Sequence, residues 1–273
     1  MTSTTLIKRP FNTKEIVNNF ILRKEEELTG EDFAKWAGWM DTDGTLVKNK
    51  DNTLLFSLKL KDKSPVELFS HVFETSLIYQ EFKTRPPKKD REKYPHMRNK
   101  IYTAKVYKSQ ISASDKIKWV VEKIYPYLLK PEKKEYAIEV LGYTPKSKNL
   151  SDWTKAELIN YVTTAFEGDG NFHLPKKSKG KSLLLTFYSS DSEYISLVKY
   201  ILEEKLNLPL FNLYQKKEYN SLEGKKHMYS IWKSFSQKNT SEYNDFFKEI
   251  IEVMTMDRKR QIIIDYLKIN EVE

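Results

Sequence analysis

The sequence contains no cysteine. That absence excludes disulfide scaffolds, cysteine nucleophiles, thiolate zinc sites and iron–sulfur clusters. No apolar run approaches the ~20 residues that span a bilayer, and Met1–Pro10 lacks the apolar core of a secretory signal. The expectation is a soluble intracellular protein. Charge, in contrast, is plentiful: 47 Lys and Arg stand against 38 Asp and Glu, a net +9 over 273 residues. Such a balance points to polyanionic partners, nucleic acid or an acidic membrane face. At 39% apolar the chain can bury a core, and its length fits one large domain or two ordinary ones. Lys outnumbers Arg, and Asn and Ile are frequent, which hints at an AT-rich coding genome such as that of an organelle or a virus.

The sequence repeats. Phe33-Ala-Lys-Trp-Ala-Gly-Trp-Met-Asp41-Thr-Asp43-Gly44-Thr-Leu46 has a counterpart in Ile159-Asn-Tyr-Val-Thr-Thr-Ala-Phe-Glu167-Gly-Asp169-Gly170-Asn-Phe172. Asp43 and Asp169 are 126 positions apart (169 − 43), almost half the chain. Thr29-Gly-Glu-Asp32 and Thr154-Lys-Ala-Glu157 each place a hydroxyl three residues before a carboxylate, the capping box of a helix start, weaker with Asp in the first copy. Each helix is expected to run to Gly44 or Gly170, read as left-handed stop residues.

Extended segments follow both stops. The first copy has Thr45–Asn49, a polar turn at 50–52 and Thr53–Lys61, where Phe56, Leu58 and Leu60 alternate with Ser57, Lys59 and Lys61. The second has Asn171–Leu174, a Lys-rich turn at 176–181 and Ser182–Ser190. Helices open at Ser64-Pro65-Val-Glu67 and at Asp191-Ser-Glu193. Further extended pairs (roughly 77–84 with 99–112, and 210–217 with 225–235) and two more helices complete each half. The fold class is α+β, an αββαββα order read twice with two antiparallel sheets. Its divisions are a 1–28 extension, a first repeat over 29–141, a linker at 142–153 and a second repeat over 154–273. Ile16, Val17, Phe20 and Ile21 suggest a short amphipathic helix on the first half, with a flexible arm as the alternative. The tracts 85–93 and 216–226 read as long basic hairpin loops.

Asp41, Asp43, Glu167 and Asp169 all fall at helix C-termini, where the macrodipole disfavours an anion by roughly 0.3–1 kcal/mol. One such acid needs no explanation, but the same acid before both glycines suggests a compensating cation. Carboxylates with helix-end carbonyls make a hard-oxygen site suited to Mg²⁺. If the halves pack about a pseudo-twofold axis through these helices, Asp43 and Asp169 meet. At ~5 Å and an effective dielectric of 20 they would repel by roughly 3 kcal/mol, a sign that bound divalent cations reverse. Such a pair suits phosphodiester hydrolysis.

Trp36-Ala-Gly-Trp-Met-Asp-Thr-Asp-Gly44 resembles the LAGLIDADG motif of homing endonucleases in their single-chain, two-repeat form, and Val162-Thr-Thr-Ala-Phe-Glu-Gly-Asp-Gly170 is a looser match. In order of elements the resemblance covers about residues 28–268. It implies motif helices at the interface of the halves, two sheets forming a saddle over double-stranded DNA, and a monomer. It further implies Asp43 and Asp169 as catalytic, metal-binding acids, with carbonyls from Thr42 and Gly168. Mg²⁺ is the implied cofactor, Mn²⁺ a substitute, and Ca²⁺ a support for binding without cleavage. The family also places a basic residue before each half's last helix, which selects Lys133 and Lys259, with Lys130, Lys134 and Arg258 as substitutes. Strand parity then implies DNA contacts at Thr45, Val47, Asn49, Asn171 and His173, and at Ser57, Lys59, Lys61, Thr186, Tyr188 and Ser190. Lys105, Tyr107, Tyr214, Lys216 and Lys233 are added from the later strands. The two faces differ, so an asymmetric target is expected, cut with short 3′ overhangs. The second copy has Thr163-Thr164 where the first has Ala37-Gly38, implying wider or hydroxyl-bonded helix packing.

Other readings are weaker. Asp41-Thr-Asp43-Gly44 also resembles the opening motif of haloacid dehalogenase-like phosphatases, but that motif follows a β-branched strand, and Phe33–Trp39 holds neither Val nor Ile. EF-hand spacing fails at Gly44, and an intein lacks its Cys nucleophile. Binding of intron RNA as a maturase, or DNA binding without cleavage, are the remaining alternatives. The intact acids speak against the last.

Overall fold

The computed structural model describes residues 3–7, 27–48, 53–84, 102–175, 182–221, 224–236 and 243–271. In chain order the first half contains β1 (Ser3–Ile7), α1 (Gly30–Thr42), β2 (Gly44–Lys48), β3 (Leu54–Leu60), α2 (Lys63–Val72), β4 (Leu77–Thr84), β5 (Tyr102–Ile111), α3 (Ser114–Ile124) and α4 (Pro131–Leu141). The second contains α5 (Lys155–Gly168), β6 (Gly170–His173), β7 (Ser182–Ser189), α6 (Ser192–Tyr200, continued by one π turn), β8 (Asn212–Ser221), β9 (Gly224–Ser236), α7 (Asn244–Val253) and α8 (Asp257–Glu271). Between the halves lie Gly142, which ends α4 with φ 79°, and a short 3₁₀ turn at Leu150–Asp152.

Helices α1 and α5 pack along each other at the centre. Both are buried nearly all round, from Phe33 through Asp41 and from Tyr161 through Glu167. Such a helix has no solvent side and can only be the middle of something. Both helices open on a capping box. Asp32 Oδ2 accepts both the Thr29 amide (2.8 Å) and the Thr29 hydroxyl (2.9 Å). The Thr154 box is reciprocal: Glu157 accepts the Thr154 amide while Thr154 accepts the Glu157 amide. Gly38 faces Thr164, whose side chain a Cβ at Gly38 would strike. Thr164 Oγ1 donates to Lys35 O at 2.9 Å across the interface, so the threonine is accommodated by a hydroxyl bond.

The expected left-handed stops are absent. Asp43 (φ −103°) and Asp169 (φ −90°) end the helices in right-handed geometry, and the glycines begin strands directly. Glycine is needed there for closeness, since a Cβ at Gly44 would strike Met40 and one at Gly170 would strike Phe166. The motif acid is therefore joined to its strand with no loop between.

The two sheets are antiparallel, in order β1-β4-β5-β3-β2 and β6-β7-β9-β8. Their apolar faces meet helices through Phe56, Leu58 and Ile111 in one sheet and Leu183, Leu185, Phe187 and Ile231 in the other, all buried. Strand β1 lies within the segment expected outside the repeat, pairs with β4, and among the described residues has no counterpart in the second sheet. The suggested helix at 16–21 and the tract 85–93 lie outside the described residues. The tract 216–226 is not a long loop: β8 runs to Ser221 and β9 begins at Gly224, with an irregularity between Lys216 and Tyr219. Among the described residues no helix is long and apolar enough to cross a membrane.

Candidate active site and nucleic-acid face

The two helix ends converge. Gly168 of α5 packs against Thr42 and Asp43 of the other half, where an added Cβ would stand 2.8 Å from Asp43 Oδ2. Burial raises Asp43 to about 6, and the charge of Asp169 pushes it the same way, against Lys259 and Lys130. Burial likewise raises Asp169, opposed by Lys130, Lys259 and Lys133. Two acids sharing a partly dry site and repelling each other are destabilised by the fold that assembles them.

The expected lysines are at this centre, in the first turns of α4 and α8. Lys259, only 4% exposed, donates from Nζ to Phe166 O (2.7 Å), Glu167 O (2.5 Å) and Gly170 O (2.7 Å). Lys133 Nζ donates to Gly44 O at 2.9 Å, and Lys130 Nζ to Asp41 O at 3.3 Å. The protein thus supplies part of the cationic compensation that anions at helix ends require, through ammonium groups on the last carbonyls. Burial lowers Lys259 to about 8 and lowers Lys133 as well. Arg258 turns away to Asp62 of the first half (3.2 Å).

The other motif acids hold the lysine-bearing helices. Asp41 Oδ2 accepts the Leu129 amide (2.7 Å) and the Tyr161 hydroxyl (2.5 Å), and the Tyr161 and Tyr194 hydroxyls lie 3.2 Å apart. Glu167 Oε1 accepts the amides of Thr255 (2.5 Å) and Met256 (2.6 Å). Leu129 and Thr255 are separated by the same 126 positions (255 − 129) as the motif acids, as are Gly44 and Gly170 (170 − 44). Hydrogen bonds at matched positions make the pseudo-twofold relation concrete. Burial raises Asp41 to about 6 and Glu167 to about 7. Tyr161 and Tyr194 escaped sequence reasoning because a tyrosine on a buried helix face reads as core.

Among the described residues no group of three or more His, Cys, Asp or Glu is assembled. Asp43 and Asp169, and the carbonyls of the preceding residues Thr42 and Gly168, could offer a cation only oxygen donors. Such a set fits a divalent cation that keeps most of its waters, and does not fit zinc. A cleft of about 390 Å³ opens beside Asp43, lined among others by Lys59, Lys61, Val106, Arg258 and Lys259. The motif Asp41–Asp43 ends a helix, which removes the phosphatase reading, whose nucleophile must follow a strand.

Residues paired across antiparallel strands point to the same face, so register sorts the expected DNA contacts. Thr45 pairs with Ser57, Asn171 with Thr186 and His173 with Leu184, all opposite the helix-covered face, which Val47 also avoids. Lys59 and Tyr188 are exposed there, whereas Ser57 and Thr186 are buried among their neighbours. Lys61 and Ser190 are exposed just past their strand ends. Tyr214 pairs with Ser230 on this face, and Lys216 with Met228. Asn49 lies outside the described residues. Three assignments are corrected. Tyr107 pairs with Leu60 and Tyr79, and Lys105 with Glu81, so both belong to the helix-side face. Lys233 pairs with the core residue Leu185 and belongs there too. Their places are taken by Val106, Lys108 and Gln110 in the first sheet and by Trp232 and Ser234 in the second.

No protein-family model matches the chain, and no curated protein matches it. Solved structures do. The LAGLIDADG meganuclease I-AabMI, bound to uncleaved DNA, superposes with a TM-score of 0.52 at 10% identity, over 88% of this chain and 90% of that one. The LAGLIDADG homing endonuclease I-GzeII, in complex with its DNA target, gives 0.52 at 14% identity, over 90% and 91%. Likeness at these identities is likeness of fold, and the fold of this chain is the two-repeat LAGLIDADG architecture.

Proposed function

We propose that this LAGLIDADG-fold protein is a monomeric, site-specific endonuclease that hydrolyses both strands of an asymmetric double-stranded DNA target. The observation that carries the reading is the convergence of Asp43 and Asp169, one from each half, into a single desolvated, mutually repelling pair. The fold sets two carboxylates against each other at a cost in stability, which a divalent cation would offset. Two neighbours of the same fold are described as bound to DNA, and the net charge of +9 suits a polyanion.

In this reading Asp43 and Asp169, with the carbonyls of Thr42 and Gly168, hold Mg²⁺ (Mn²⁺ substituting), and Ca²⁺ supports binding alone. When bound, the cation supplies Lewis acidity to the phosphate and a more acidic water. The side chains do the rest. Asp43 and Asp169 would place the cation at the seam, where the scissile phosphates, one per strand across the minor groove, would meet it. Lys133 and Lys259 stand beside them as positive charges against the charge that builds on phosphorus oxygens during attack. The sheets fix the duplex, and phosphate contacts make affinity fall steeply with salt. On each strand a water oxygen bonds to phosphorus, losing a proton, as one P–O bond breaks and the departing sugar oxygen takes up a proton, and the staggered cuts leave short 3′ overhangs.

The test is cleavage selection by the full chain against a randomised duplex library with Mg²⁺. Recovery of a defined cut sequence supports the reading. Asp43→Asn and Asp169→Asn should abolish double-strand cleavage and keep binding in Ca²⁺. Wild-type cutting by either variant would overturn the assigned roles, and preference for intron RNA over every duplex would favour the maturase alternative.

A further inference from the structure

The exposed faces of the two sheets differ in chemistry. On the first, Lys59 pairs with Lys108, and Ser57 with Gln110. On the second, the residues with described side chains are Asn171, His173, Ser182, Leu184, Thr186, Tyr188 and Asn212, followed across the ladder by Tyr214, Met228, Ser230, Trp232, Ser234 and Ser236, and Lys216 pairs with Met228 on the same face. None of those with described side chains is Lys, Arg, Asp or Glu. Three are large aromatics left open: Tyr188 is 43% exposed, Tyr214 57% and Trp232 40%.

Their arrangement is local. Ser230 lies between Tyr188 on β7 and Tyr214 on β8, and Trp232 is the next residue of β9 on the same face. Ser230 itself is only 9% exposed. A small residue ringed by three aromatics forms a shallow, largely apolar dish, and among the described side chains of this face none carries a charge. The dish is tied to the catalytic centre, because the Tyr188 amide donates to Asp169 O at 3.3 Å.

We infer that the second sheet reads thymine: the dish takes thymine C5-methyl groups in the part of its half-site next to the cut, so that half of the target is defined by thymine and the other by guanine. The inference rests on the DNA-cleaving reading above. In the major groove the thymine methyl is the one apolar group a base edge presents, and it is read by apolar contact. Lysine, the resource of the first sheet, pairs with guanine O6 and N7. An uncharged aromatic dish offers guanine nothing comparable. Stacking of unpaired bases on the rings would need the strands to separate, whereas a methyl is available in an intact duplex.

The experiment begins with duplexes selected by the full chain in Ca²⁺ from a randomised library. Selection by Tyr188→Ser identifies the half under the second sheet as the one whose base preference relaxes. Thymines in each half are then replaced one at a time by deoxyuridine, which lacks only the methyl. Affinity should fall about fourfold for each methyl seated in the dish, the worth of one buried CH₂, and should not change in the other half. Tyr188→Ser should bind thymine and deoxyuridine sites alike and keep the guanine preference opposite. Tyr214→Ser, at the more exposed rim, provides the same comparison should Tyr188→Ser fail to fold. Equal penalties in both halves, or none, overturn the inference and leave the nuclease reading standing. Binding of single strands as tightly as duplex, lost on Trp232→Ser, also overturns it in favour of base stacking. Enrichment of no duplex at all would instead remove the nuclease reading beneath it.

Discussion

Gly168 lies so close to Asp43 that a methyl group on its Cα would sit 2.8 Å from the carboxylate Oδ2 and would overlap the Thr42 side chain. The acid of one half is therefore positioned by the backbone of the other. Neither half alone can assemble the pair, and the seam between α1 and α5 serves as both core and candidate site.

Gly168→Ala tests that dependence. The added methyl must push Thr42 and Asp43 away, and overpacking of this kind costs roughly 1–3 kcal/mol. The variant should melt a few degrees lower. Cleavage should fall by about a hundredfold, because misplacement by ~1 Å is enough for such a loss. Thermal unfolding and cleavage of the selected duplex check both. Unimpaired cutting would mean that the Thr42–Asp43 tip tolerates displacement.

Divalent metal and carboxylate repulsion should be linked in stability. Without metal, Asp43→Asn removes a group that burial and Asp169 both raise to about 6, so the variant should melt above the wild type near pH 7.5. Mg²⁺ should raise the midpoint of the wild type and leave that of the variant almost unchanged, since binding to the folded state stabilises by mass action. Parallel responses to Mg²⁺ would place the cation elsewhere.

The motif acids were legible because an anion before a glycine at both helix ends conflicts with the macrodipole, and a conflict repeated at matched positions signals a purpose. The glycines were misread for a physical reason: glycine permits both a left-handed turn and close approach, and sequence does not say which. Here contacts with Met40 and Phe166 require closeness. Faces of β2, β3, β6 and β7 were legible because buried residues such as Phe56 and Phe187 anchor the period-2 pattern. Those of β5 and β9 were not. Alternation says which residues share a face, and only pairing says which face that is. Lys105 and Lys233 belong to the helix side, so polarity pointed the wrong way. Strand β1 could not be foreseen, since five residues with no partner in view carry no pattern.

Stability should depend on pH through Glu167. Burial raises its carboxyl from 4.5 to about 7, so the folded state holds a proton that the unfolded chain releases. That contribution is fully present below about pH 4.5 and is lost as pH rises through about 7. Glu167→Gln keeps an acceptor for the Thr255 and Met256 amides and fixes the neutral form. The midpoint of the variant minus that of the wild type should therefore increase from pH 5 to pH 8. Parallel profiles would show that Glu167 is ionised throughout.

Lys133 and Lys259 occupy matched positions and should nonetheless fail differently. Lys259 is buried and donates to three carbonyls at the end of α5. Removing a charged donor leaves acceptors desolvated, at ~1.5–3 kcal/mol per bond for charged partners. Lys133 is only half-buried and donates to Gly44 O. Lys259→Met should therefore lower the midpoint by several degrees more than Lys133→Met. If both lysines serve the reaction, each variant should also lose cleavage of one strand before the other, giving nicked circles from a supercoiled plasmid that carries the target. Complementary nicking, with opposite strands spared by the two variants, assigns one lysine to each scissile phosphate. A stability loss at Lys259 with both strands still cut at the wild-type rate would reduce that residue to a helix cap.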